Sequence, residues 1–152
     1  MENQRRNQRM LVWYVIPAML ISILLLIFFI SSARAEEIDM DKIAMIESSN
    51  NPLAHNQRDN GRGVFQITKI CLDEWNNFHA RDQHTMDDLW SPALNFKIAD
   101  WYLNQRIPQM LKHYKLANTV KNRIWCYNAG IGNVVKGRMP MITKNYLKKY
   151  FK

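Results

Sequence analysis

Paired metal-ligand spacing is missing from this sequence: His55, His79, His84 and His113 form no His-Glu-x-x-His arrangement, so no metal or cofactor is expected. Cysteine is nearly absent, with only Cys71 and Cys126 present. Neither has a neighbouring histidine to activate a thiolate, which argues against a cysteine nucleophile. Two readings of the pair stand. In an oxidising compartment they bridge and restrict the unfolded chain by on the order of 3 to 4 kcal/mol; otherwise they are small buried hydrophobes, each on a helix. Internal repeats, low-complexity tracts and long linkers are also missing, which favours one mainly helical domain. Acidic charge is the scarcer sign, with 13 Asp and Glu against 21 Lys and Arg, a formal net charge of +8. Such a surplus suits an anionic polymer or anionic lipid headgroups, and ordinary solubility explains it as well. Lys144, Lys148, Lys149 and Lys152 cluster at the C-terminus and read as a solvated face.

Charge is missing altogether from Met10 to Ile30, and Arg5, Arg6 and Arg9 precede that stretch. Ala33-Arg34-Ala35 then places small residues at signal-peptidase spacing. The stretch exceeds a usual signal core of about 7 to 15 residues and approaches the roughly 20 that span a bilayer. Residues 1–35 are therefore expected to be a signal peptide or an N-terminal inner-membrane anchor, with cleavage after Ala35 favoured. Either way the arginines keep the N-terminus inside, and residues 36–152 face the periplasm or cell exterior. Membrane contact is expected only through the leader, if uncleaved.

Ile38, Ile43 and Ile46 recur at near-helical spacing, with Asp39 and Asp41 at the favourable end of the dipole. Ser48-Ser49-Asn50-Asn51-Pro52 breaks that pattern, leaving Glu47 at a helix end. Asp59-Asn60-Gly61 predicts a tight turn in a small β-hairpin or ordered loop. Helical periodicity returns over Phe65 to Phe78, with Ile67, Ile70, Cys71 and Trp75 on one side and Thr68 as a candidate cap. Ser91-Pro92 reads as an N-cap and first helical position. Pro108 is expected to kink or end the helix that follows. Asn118 or Thr119 caps the next helix, which Gly130 stops, and a last one spans Thr143 to Tyr150.

A carboxylate at a helix end, followed by a forced turn, faces a groove where partial burial raises its pKa towards general-acid use. Around it lie Glu47-Ser48-x-x-Asn51-Pro52, Asn56-x-x-Asp59-Asn60-Gly61-x-Gly63-x-x-Gln66-Ile67 and Tyr127-Asn128-Ala129-Gly130-x-Gly132-Asn133-Val134. In order and spacing these resemble the three motifs of the soluble lytic transglycosylase family. Ser91-Pro92-x-x-Asn95 and Thr143-x-x-Tyr146 are similar to two further elements of that family, and the likeness covers roughly residues 38 to 150. It implies a lysozyme-like α+β fold, mainly helical, with a small hairpin flanking the cleft.

The resemblance implies cleavage of peptidoglycan glycan strands by Glu47 as single acid and base. The substrate's 2-acetamido group supports the cation, and its C6 hydroxyl replaces water to give 1,6-anhydromuramoyl ends. By the same resemblance Gln66 lines the cleft, and Tyr127 with Asn128 positions the N-acetyl group. Ser48, Asn56 and Tyr146 complete the expected substrate-binding set. Ser48 bonds Glu47 or helps end the helix, Tyr127 packs in the core as an alternative, and His55 lies near enough to touch substrate. Gly61, Gly63, Gly130 and Gly132 read as backbone devices. Two departures stand out: Ile142 replaces a common acidic residue before the last motif, and Phe65 stands where Met is frequent. Asp59 has a sufficient explanation as a turn residue, yet across a cleft it would activate water and make a hydrolytic muramidase. A weakly active or inactive wall-binding subunit is the rival from outside enzymology. Small enzymes of the resembled type serve secretion, conjugation or pilus machinery, so such a machine is an expected partner; nucleic acid is not.

Overall fold

Asp39 accepts a hydrogen bond from Lys42 N at 3.1 Å and so caps α1 (Met40–Ser48), whose Ile43 and Ala44 enter the core. The helix stops where Ser49 and Asn50 adopt left-handed backbone, φ 56° and 62°. Their amides close back on Met45 O and Ala44 O, a C-terminal reversal that satisfies orphan carbonyls. Structure is described for residues 37–152, as a computed structural model. The expected leader, with its apolar stretch and Ala33-Arg34-Ala35 site, lies outside the described residues. Among the described residues no helix is long and apolar enough to cross a membrane.

After α1 the chain forms an antiparallel hairpin, β1 (His55–Asn56) with β2 (Gly61–Arg62), pairing His55 with Arg62 and Asn56 with Gly61. The turn matches the Asp59-Asn60-Gly61 signal: Asp59 Oδ1 accepts from Gly61 N at 3.1 Å, and Asn60 is left-handed. Next comes α2 (Lys69–Phe78), which begins directly after Thr68, the candidate cap, rather than at Phe65, though the Thr68 side chain makes no capping bond. Gln66 sits at φ 49° and Thr68 is extended, so helical geometry cannot begin at Phe65. Ile70 also departs from expectation. It is 73 % exposed, while Cys71, Leu72 and Trp75 make the buried stripe.

A 3-10 turn (Asp87–Trp90) leads into α3 (Pro92–Trp101), capped by Ser91 with proline at its first position as expected. Pro108 does not end the run, because a π turn (Tyr102–Arg106) precedes α4 (Ile107–His113). There Ile107 N reaches back to Tyr102 O. The wider turn leaves Pro108 in the first turn of α4, where a missing amide hydrogen costs little. From this long helical run Asn95, Ile98, Ala99, Leu103, Ile107 and Leu111 are fully buried. Packed on it are α5 (Val120–Ala129), capped by the Thr119 side chain, and α6 (Ile131–Val135).

The last helix, α7 (Met141–Tyr150), packs on both α1 and α5. Tyr150 OH accepts from Asp39 N at 2.7 Å, and Lys42 Nζ donates to Tyr150 O at 3.3 Å. The start of α1 is thus tied to the end of α7, which sets the two helices that frame the site. A mainly helical domain with one small hairpin is the architecture the sequence predicted.

Candidate active site

Glu47 leaves the last turn of α1 half-buried, facing Tyr146 of α7. Tyr146 OH donates to Glu47 Oε1 at 2.8 Å. Burial raises the Glu47 carboxyl from its ordinary 4.5 to about 7; the Tyr146 hydrogen bond opposes the rise and the nearby Asp59 charge adds to it. Removal from water is the dominant cause, since a carboxylate loses hydration that one phenol cannot replace. Near neutral pH such a group exists in both protonation states, as a proton donor that must later act as a base requires.

Two adjoining cavities meet at Glu47 and share Asn56, Asp59 and Asn128 in their walls. One, of about 680 Å³, runs along α7 past Ile142, Asn145, Tyr146 and Lys149, with Arg58 of the hairpin turn also in its lining. The other, of about 320 Å³, runs between α2 and α5 past Gln66, Ile70 and Tyr127. The acid therefore stands midway along a groove, with room on both sides for parts of an extended substrate.

A buried amide anchors the hairpin wall to α3. Asn95 of α3 accepts from Phe65 N at 2.8 Å and donates to Arg62 O and Leu89 O at 2.8 and 3.1 Å. Gly63 passes so close that an added Cβ would lie 2.4 Å from Asn95 Nδ2, and its φ of 76° is itself a glycine conformation. Gln66 spends its side-chain nitrogen on Ala54 O and Gly63 O at 3.0 and 2.8 Å. It lines the groove, but its amide nitrogen braces the loop.

Ser48 does not bond Glu47. Its hydroxyl donates to Val64 O at 2.8 Å and to Ala44 O at 3.3 Å, so it ties the helix end to the hairpin loop. Tyr127 OH donates to Phe65 O at 2.6 Å, leaving the ring in the groove wall. Asn128 Oδ1 accepts from the fully buried Thr143 hydroxyl at 2.7 Å. That bond orients the amide and reserves its nitrogen as a donor for the groove. Asn56 uses Oδ1 to accept from Arg58 N at 3.1 Å while lining both cavities. His55 turns away from the groove lining and meets Asn60 Oδ1 at 2.8 Å.

Sequence reasoning passed over several groove residues. Ile142, Asn145, Tyr146 and Lys149 fall at i, i+3, i+4 and i+7 on α7, one helical face; Tyr146 and Ile142 stood out in or beside the last motif, while Asn145 and Lys149 carried no signal. Thr143 stood in a motif, but its partner Asn128 lies 15 residues upstream, so no local pattern reveals the bond. Cys71 and Cys126 are unbridged, buried and part of the α2–α5 groove wall. Burial pushes the Cys126 thiol up to about 12 and Cys71 higher still, so both remain protonated at neutral pH. Among the described residues no group of three or more His, Cys, Asp or Glu side chains gathers in a metal-binding arrangement.

No match was found among curated proteins or among solved structures. The family profile described as Transglycosylase SLT domain matches residues 31–146, from before α1 to the tyrosine that holds Glu47. That span contains the acid, the hairpin wall, the Asn95 brace and the Tyr127-Asn128 wall, and on it the chain belongs to the transglycosylase SLT domain family.

Proposed function

We propose that this protein is a peptidoglycan lytic transglycosylase that cleaves the β-1,4 bond between N-acetylmuramic acid and N-acetylglucosamine. Glu47 protonates the glycosidic oxygen as the C1–O bond breaks, and the 2-acetamido group of the substrate stabilises the cation at C1. The resulting carboxylate then takes the C6 hydroxyl proton as O6 closes on C1, giving a 1,6-anhydro end without added water. One group serves both steps because the attacking oxygen is already held on the same sugar. The supporting observation is a carboxyl lifted to about 7 midway along a groove. The Asn128 amide, oriented by Thr143, is the donor proposed for the N-acetyl carbonyl, with the Tyr127 ring beside it. Ser48 and Gln66 are positioning residues in this scheme.

Asp59 favours a second reading, in which it activates water and the enzyme is a hydrolytic muramidase, since it lines both halves of the groove with Glu47. Mass analysis of the fragments that the full chain releases from isolated sacculi separates the two. Anhydro ends are the expected product; reducing ends mean hydrolysis. Glu47→Gln should stop release while sacculus binding persists, and a variant that still releases fragments removes Glu47 from the mechanism. Binding without release by the parent would instead indicate a wall-binding subunit.

The proposal places residues 36–152 outside the inner membrane, where the polymer is, with residues 1–35 as signal peptide or anchor. The work proposed is local wall opening, serving a secretion, conjugation or pilus machine.

A further inference from the structure

We propose that Arg58 and Lys149 form a carboxylate-recognition site that selects glycan strands by the acidic substituent on the muramic sugar, a proposal that rests on the cleft being a glycan site. The two cations come from separate elements, the hairpin turn and α7, and line the same cavity as Glu47 and Tyr146. Neither takes part in an ion pair among the described residues, whereas Arg62, also on the hairpin, is engaged with Asp87. Of the lysines clustered on and after α7, Lys149 is the one in the groove lining; the i, i+7 relation to Ile142 puts it on the cleft face.

Charge balance argues for an anion there. With Glu47 holding its proton, as a donor must, the cavity lining sets one carboxylate, Asp59, against two cations, Arg58 and Lys149, and so carries a positive excess. Muramic acid bears a lactyl group at O3. Its carboxyl is free on strands stripped of peptide, and on intact strands it is amide-linked to a stem peptide with carboxylates of its own. N-acetylglucosamine has neither. An arginine from the hairpin turn and a lysine from α7 in one cavity lining match that difference, the guanidinium as a two-pronged donor and the ammonium as a point charge. Ile142, 66 % exposed in the same wall, offers apolar contact to a sugar face between them.

The test measures equilibrium binding of the full chain carrying Glu47→Gln, so that no strand is cut. Three probes are compared: peptide-bearing strands, amidase-stripped strands, and N-acetylglucosamine oligomers of matched length as the uncharged reference. Adding Arg58→Gln or Lys149→Gln should lower the preference for carboxylate-bearing strands over the oligomers by about fivefold each. That preference should shrink as salt is raised. A fall confined to stripped strands assigns the lactyl carboxylate, and one confined to peptide-bearing strands assigns the stem carboxylates. Unchanged preference in both variants, with all three probes still bound, overturns the site alone. Failure of the parent to bind any of the three overturns the glycan reading and this site with it.

Discussion

A phenol and a carboxylate pull the Glu47 proton in opposite directions. The Tyr146 hydrogen bond stabilises the ionised form, and the Asp59 charge destabilises it. Two substitutions should therefore move the pH profile of kcat/KM oppositely. Tyr146→Phe removes the stabilising donor, so the alkaline limb moves to higher pH; Asp59→Asn removes a like charge, so it moves to lower pH. Shifts in the same direction, read from initial rates on isolated strands, would contradict the placement of the three groups. Glu47→Gln should lower the cleavage rate by about 10²- to 10⁴-fold, the range for loss of a general acid. The Glu47 end of α1 was legible because a carboxylate met a helix-breaking run. Asp59 was legible as a turn residue and as a rival cleft carboxylate, but the turn alone explained its local pattern, and its place in the groove lining emerges only from the fold.

At the scale of elements, the hairpin wall is held from α3 by Asn95, with further ties from α1 and α5. Asn95→Ala deletes a buried amide that satisfies three backbone groups, and should cost about 2 to 4 kcal/mol of stability in urea unfolding. A cost within a few tenths would show that water or relaxation replaces those bonds. Helices were readable from their apolar spacing, and Thr119, Ser91 and Gly130 marked their ends as expected. Pro108 does not end its helical run because a π turn five residues long precedes it, and no residue type announces such a turn. Ile70 departs from expectation for another reason. Periodicity finds an apolar stripe, but an isoleucine at its margin faces either the core or a groove, and here it faces the groove. The α7 face is the same case in reverse, polar positions that line a cavity reading like any solvated side.

For the whole molecule, the raised Glu47 carboxyl links function to stability. The folded state holds the proton more tightly than the unfolded chain, near 7 against 4.5. The stabilisation is therefore complete below about pH 4.5 and lost as pH rises towards 7. Glu47→Gln should then be more stable than the parent at pH 8, by about 1 to 3 kcal/mol after allowance for solvent screening, with the gap closing at pH 4. Equal stabilities at both pH values would mean that the acid is well hydrated. A groove acid kept out of water thus costs the fold something at the pH where it works, a pattern common at sites built for chemistry.

The most direct test is a carbon-13 NMR titration of the Glu47 side-chain carboxyl in the full chain, assigned by its loss in Glu47→Gln. The account predicts a midpoint near 7. A midpoint at the ordinary 4.5 would leave the group ionised at neutral pH and contradict its role as proton donor.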